Sequence, residues 1–297
     1  LGLFGISSLY DWERRGPDRT FFEQRTAISV KVNFSDDVTA FIELMDFAIW
    51  GEDFRSNYVT GVDLRAVSND DIEVYQGYIE ARNVFGQPIR LRVGRQEMVM
   101  GSGWLISNQI SPVLGLSFDA VRLTYDTDAF SVDAFTSKLV ESMGDFFGDD
   151  VDLHGVYMTY KGYQPLNIGA YWFWVRDDRE IDETPGASAA VRLAEKIRGF
   201  NDYGTTHLHT VGLRLNGASS GFDYNLDVAY QFGAADQVGT TFKLFGPYGD
   251  TDAKFDHWAF DAEVGYTFDC AWSPRVFVGG AWYQGEDNRD ISFGEWL

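Results

Sequence analysis

The chain has one cysteine, Cys270, only seven prolines, and no uninterrupted apolar run of membrane-helix length. A lone thiol excludes an internal disulfide, and no cysteine or histidine spacing suggests a zinc site. A membrane helix needs about 18 or more consecutive apolar residues, so helical spans are excluded. A membrane is not, because the strands of a membrane barrel are short and only half apolar. Basic residues are also scarce: 24 Lys and Arg stand against 45 Asp and Glu, for a net charge of −21. A phosphate backbone requires clustered cations, which excludes nucleic acid as a partner. No signal peptide opens at Leu1, so an exported protein would be represented here by its mature chain.

What is abundant points to sheet. The 297 residues include 31 Gly, 24 Phe, 15 Tyr and 9 Trp, and 45% are hydrophobic. Many aromatics and glycines with few prolines favour strands and turns over helices. Alternation then marks the strands. Thr26, Ile28, Val30, Val32 and Phe34 share one face, against Arg25, Ala27, Ser29, Lys31 and Asn33 on the other. Tyr75, Gly77, Ile79 and Ala81 oppose Gln76, Tyr78, Glu80 and Arg82, and Leu166, Ile168, Ala170, Trp172 and Trp174 share a face further on. The clearest alternations come late, in Phe222 to Phe232 and Trp258 to Phe268. With a weak first strand over Leu1 to Leu9, about thirteen strands of roughly ten residues are expected, the length a tilted membrane strand needs. Helical spacing over Ser188 to Phe200 predicts one short amphipathic helix.

The connections sort by parity. Short ones fall at 35–37, 83–88, 126–128, 161–165, 217–221 and 269–274, and long ones at 51–70, 95–116, 140–150, 177–204 and 233–254. Strict alternation follows from up-and-down topology in the outer membrane, with brief periplasmic turns and longer extracellular loops. A soluble sandwich has no reason to sort its loops this way. The expected fold is an all-β, transmembrane, antiparallel up-and-down barrel forming one domain over 1–297. An odd strand count would leave Leu297 on the outer side, so the barrel is expected to be incomplete at its C-terminal end.

The acidic excess gathers in the long loops: Glu52, Asp53, Asp63, Asp70 and Asp71; Glu141, Asp145, Asp149 and Asp150; Asp177, Asp178, Glu180, Asp182 and Glu183; Asp250, Asp252 and Asp256. Such loops are solvated tips, or sites for divalent cations near lipopolysaccharide, or an electrostatic filter. Trp50, Trp172, Trp174, Trp258, Tyr266 and Trp282 fit interfacial girdles against the lipid bilayer.

One stretch is more specific. The two-faced strand Ile89-Arg90-Leu91-Arg92-Val93 runs into Gly94-Arg95-Gln96-Glu97, then a glycine-broken loop with Gly101, Gly103 and Leu105. Gln76-Gly77-Tyr78-Ile79-Glu80 precedes it and Ser117-Phe118-Asp119-Ala120-Val121-Arg122-Leu123 follows. Together with Arg25-Thr26, these segments resemble the alginate export family of outer-membrane porins. The resemblance implies a barrel of about 16–18 strands in the Gram-negative outer membrane. It also implies an arginine-rich lumen that passes an anionic polysaccharide.

Read from the residues, the candidates for a basic lumen lining are Arg25, Lys31, Arg90, Arg92, Arg122 and Arg214, each on the polar face of its strand. Arginine suits carboxylates because its planar fork offers paired hydrogen bonds. Glu43, Glu80, Asp133, Asp223, Asp227, Asp261 and Glu263 share those faces, so a ladder of opposite charges that merely satisfies the wall is the alternative. Arg95, Gln96 and Glu97 stand where strand gives way to loop, and are expected either to brace the rim or to form a constriction. His154, His207, His209 and His257 join no Ser or Asp constellation, so no catalysis is expected; His207-x-His209 shares a strand face, but no metal or cofactor is expected. The expected function is a channel for a polar, anionic saccharide-type solute. A scaffold barrel anchoring a periplasmic or surface protein partner is the alternative.

Overall fold

The computed structural model describes residues 22–50, 72–109, 115–140, 150–163, 165–178, 205–236, 241–243, 246–248 and 252–285. The expected strand over Leu1 to Leu9, the helix over Ser188 to Phe200, and most of the loop carboxylates lie outside them. The strands are β1 (Phe22–Asn33), β2 (Val38–Trp50), β3 (Glu73–Ala81), β4 (Ile89–Gln96), β5 (Phe118–Asp126), β6 (Phe130–Val140), β7 (Val151–Tyr163), β8 (Leu166–Asp177), β9 (Thr206–Ser219), β10 (Phe222–Asp236), β11 (Thr241–Lys243), β12 (Gly246–Tyr248), β13 (Asp252–Thr267) and β14 (Arg275–Tyr283). Twelve of them form one sheet hydrogen-bonded in chain order, while β11 and β12, inside the connection between β10 and β13, form a separate two-stranded sheet among the described residues.

The parity of the connections holds. Two residues, Ser220 and Gly221, join β9 to β10, and both take positive φ (53° and 84°), as a tight hairpin turn matched to strand twist requires. The other end of the sheet carries every long connection. This is the up-and-down wall of a transmembrane barrel, and its two faces differ as that reading requires. Ile28 and Phe34 are each 68% exposed, and Val30, Ile42, Val121, Leu123, Met158, Leu213, Phe260 and Val278 on the same side of the wall are exposed too. In water these side chains would have to bury, at about 1.5–3 kcal/mol each; against lipid they need no partner.

The chain packs as two compact units, Leu1–Glu80 with Gly94–Phe118, and Ala81–Val93 with Asp119–Leu297. Strict alternation breaks at two places in the first. β4 continues past Val93 to Gln96, so Arg95 and Gln96 belong to the strand and not to the loop after it. Gly94 makes this possible: its φ is +123°, and a Cβ there would lie 2.3 Å from the Gly77 carbonyl oxygen. Tyr75, placed by alternation on the apolar face with Ile79, is instead buried beside Gln76, held there by contacts described next.

Candidate functional site

The rim loop that follows β4 is a folded element. Met98, Met100 and Ile106 are buried, and the Met100 N–H donates to the Ile106 carbonyl at 3.0 Å, which folds the segment back on itself. Its base is held by Glu97. One carboxylate oxygen accepts from the Tyr75 hydroxyl at 2.6 Å, the other from Asn108 Nδ2 at 3.0 Å, and the Glu97 N–H donates to Gln76 Oε1 at 3.2 Å. Tyr75 also lies against Gly115, where a Cβ would come within 2.2 Å of its hydroxyl. Gln96 is fully buried and donates to the Gly94 carbonyl at 3.2 Å; Arg95 points the other way and donates to the Val74 carbonyl at 3.3 Å. Glu97 is half-buried, and hydrogen bonds to a charged group contribute up to about 1.5–3 kcal/mol each. Glu97 therefore ties both limbs of the loop to β3.

The six basic candidates do not form one site. In the first unit, Arg25 lies over the Tyr75 ring, 5.1 Å from its centroid, and Lys31 is exposed on the same strand face opposite Phe41. In the second, Arg90 Nη2 donates to Thr124 Oγ1 at 3.3 Å, and Thr124 Oγ1 donates in turn to Asp133 Oδ1 at 2.5 Å. Arg122 Nε reaches the same Asp133 oxygen at 2.8 Å. Arg92 shares the Arg90 face of β4. The structure thus brings Arg90 and Arg122 together through Thr124 and Asp133. Arg214 stands apart, with Nε donating to Asn225 Oδ1 at 3.0 Å and lying 3.6 Å from Asp227.

One arginine escaped the sequence reading. Arg275 Nε and Nη2 grip Asp223 at 3.0 and 2.5 Å, and Nη2 also reaches Glu263 at 2.6 Å. Its signal was present: Arg275, Phe277 and Gly279 alternate with Val276 and Val278, which puts Arg275 on the face of Glu263.

Between these charged stretches the inner wall is aromatic. Phe135, Tyr157, Tyr171 and Phe173 are buried on the face opposite the lipid-facing Val156 and Met158. They stack as a series, with Tyr157–Tyr171 centroids 5.7 Å apart and Tyr171–Phe173 centroids 5.0 Å apart. Glycines on the neighbouring strands admit them. A Cβ at Gly155 would lie 2.5 Å from Phe135 and 2.7 Å from Phe173, and one at Gly212 would lie 2.2 Å from Tyr171.

His154, His207 and His209 face outward, while His257 is buried on the inner face of β13 with Phe255 and Ala259. Trp172 Nε1 donates to His209 Nδ1 and Trp174 Nε1 to His207 Nδ1, both at 3.3 Å, and Trp174 also packs on His154 at 4.9 Å. With each Nδ1 an acceptor, the two imidazoles extend a girdle of tryptophans near the long-loop end of β8 and β9. Among the described residues no group of three or more His, Cys, Asp or Glu is placed to hold a metal ion. Above the girdle, Lys138 pairs with Asp150 and, at 3.0 Å, with Asp152, while Arg176 pairs with Asp178 and lies 3.4 Å from Asp152. These carboxylates tie the strand ends together.

The Salmonella typhi OmpF porin, solved in complex with daunomycin, aligns at a TM-score of 0.44 and 12% identity, over 92% of this chain and 86% of that one. A mutant Rh. blastica porin aligns at 0.33 and 11% identity, over 92% and 90%. No curated protein matches. The assignment rests on the sequence family instead: the alginate export family model matches residues 12–292, nearly the whole chain. The chain belongs to the alginate export family, as an outer-membrane β-barrel of porin type.

Proposed function

We propose that this outer-membrane channel passes an anionic, uronate-type saccharide, guided by the arginines of β4 and β5. The observation that supports the reading is the grouping of Arg90 and Arg122 on one inner face through Thr124 and the Asp133 carboxylate, with Arg92 on the same face of β4 as Arg90. Asp133 and Thr124 fix the guanidinium and hydroxyl positions, so the site needs little reorganisation when a carboxylate arrives. Arg90 and Arg122 each offer more donors than these contacts use, since a guanidinium carries five.

The test is block of single-channel current by uronic-acid oligomers in a planar bilayer. Wild type should show transient block by the acidic oligomer and none by a neutral oligosaccharide of equal length. Arg90→Gln with Arg92→Gln should weaken that block on the order of tenfold, in line with the loss of charge-assisted hydrogen bonds. Equal block of wild type and variant would remove these arginines from the path.

A further inference from the structure

Where β7, β8 and β9 reach the long loops, the outward side of the wall stops being purely apolar. Lower on that side stand Val156, Met158 and Leu213, exposed to lipid as the barrel requires. Above them His154 lies across the ladder from Trp174, Trp174 lies across from His209, and His207 takes the next outward position on β9. The indole bonds need neutral rings. Trp172 and Trp174 donate to Nδ1 of His209 and His207, so those nitrogens carry lone pairs, and His154 Nδ1 lies 2.9 Å from Thr136 Oγ1. What histidine adds to such a surface is a charge that changes between about pH 5 and 8. Trp174 is placed to support that charge. Its ring centroid lies 4.9, 5.8 and 5.7 Å from those of His154, His207 and His209, inside cation–π range, so the indole that loses an acceptor gains cationic neighbours.

The charged groups that face the three rings decide what their protonation would do. From β6 and the start of β7, Lys138 pairs with Asp150 and Asp152. On β8, Arg176 stands directly across from His207 and pairs with Asp152 and Asp178. β10 brings the uncharged Phe232 and Ala234, and Phe232 stacks on His209 at 5.1 Å. Beyond β10, Lys254 and Asp256 on β13 offset each other, and the Tyr230 hydroxyl donates to Asp256. Lys138 and Arg176 thus meet three carboxylates, which leaves the belt with one excess negative charge while the imidazoles are neutral. Three imidazoliums would reverse that to an excess of two positive charges, on the side of the wall that faces lipid headgroups.

We propose that this histidine belt is an acid-responsive binding surface for the phosphate groups of outer-leaflet lipopolysaccharide. At neutral pH the tryptophans anchor the wall and the belt does not attract phosphate. In an acidic medium, which reaches the outer leaflet directly, the imidazoliums join Lys138 and Arg176 and hold phosphate-bearing lipid against β7 to β9. The inference is independent of what passes through the lumen.

The test is the affinity of the purified full chain, in zwitterionic detergent micelles, for lipopolysaccharide at about pH 7.5 and about pH 5.5. Wild type should bind on the order of tenfold more tightly in acid. The sign is diagnostic, because phosphate itself loses charge over this interval and binding through fixed cations alone would weaken. The triple variant His154→Gln, His207→Gln and His209→Gln should keep the affinity seen at neutral pH and lose the increase. His207→Gln alone changes one exposed ring and should lose part of the increase, which guards against a folding defect in the triple variant. Lipopolysaccharide stripped of its phosphates should show no increase with wild type. Equal wild-type affinity at both pH values would overturn the proposal, as would an increase that survives in the histidine variants or with the stripped lipid.

Discussion

On β7 to β9 the same kinds of ring line two faces of one wall, and they are held by different means. On the inner face Tyr171 is 8% exposed, stacked between Tyr157 and Phe173 and seated on Gly212; on the outer face its chain neighbour Trp172 is 39% exposed. The inner rings rest on backbone that only glycine leaves bare, so their positions are set within the protein. The outer rings touch one another, His209 and His207, and leave part of their surface to the bilayer interface, whose mixed polarity suits an indole. Composition alone does not separate a structural aromatic from an anchoring one; the residue across the ladder does.

That contrast gives its strongest test at Tyr171 and Gly212. Tyr171→Ala should lower stability by about 3 kcal/mol, because it empties a stacked position in the wall. Gly212→Ala should cost about 2 kcal/mol, since its Cβ meets the ring. In the Tyr171→Ala background the same glycine substitution should cost little, because the ring it would strike is gone. Urea unfolding followed by heat-modifiable mobility measures all three, and additive losses would show that ring and glycine are independent. A smaller effect is expected outside. Trp172→Ala should cost less than about 1 kcal/mol in detergent micelles, where no ordered interface rewards the indole. A loss as large as that of Tyr171→Ala would erase the distinction between the faces.

Much of the wall was legible in the sequence because alternation and connection length both follow directly from it. Ile28, Val30 and Val32 report the lipid side of β1 without reference to any neighbour, and Ser220-Gly221 reports its own turn. Where the reading failed, the deciding residue was distant. Nothing near Tyr75 signals that Glu97 will claim its hydroxyl, and the extension of β4 through Arg95 depends on the Gly77 carbonyl fitting beneath Gly94. The grouping of Arg90 with Arg122 is likewise invisible along the chain, since Thr124 and Asp133 join them across two ladders. The inner aromatics had a sequence signal that went unused: glycine and ring share one strand face in Gly155-x-Tyr157 and Gly169-x-Tyr171-x-Phe173.

An open, water-filled path bounded by the charged inner wall is what a channel requires. Single-channel recording of the purified full chain in a planar bilayer decides whether it exists. An open path predicts stable, ohmic current steps whose size scales with salt concentration. A protein that folds and inserts yet stays closed to ions at every voltage and salt concentration would contradict the claim and favour a scaffold barrel whose lumen is filled by a partner.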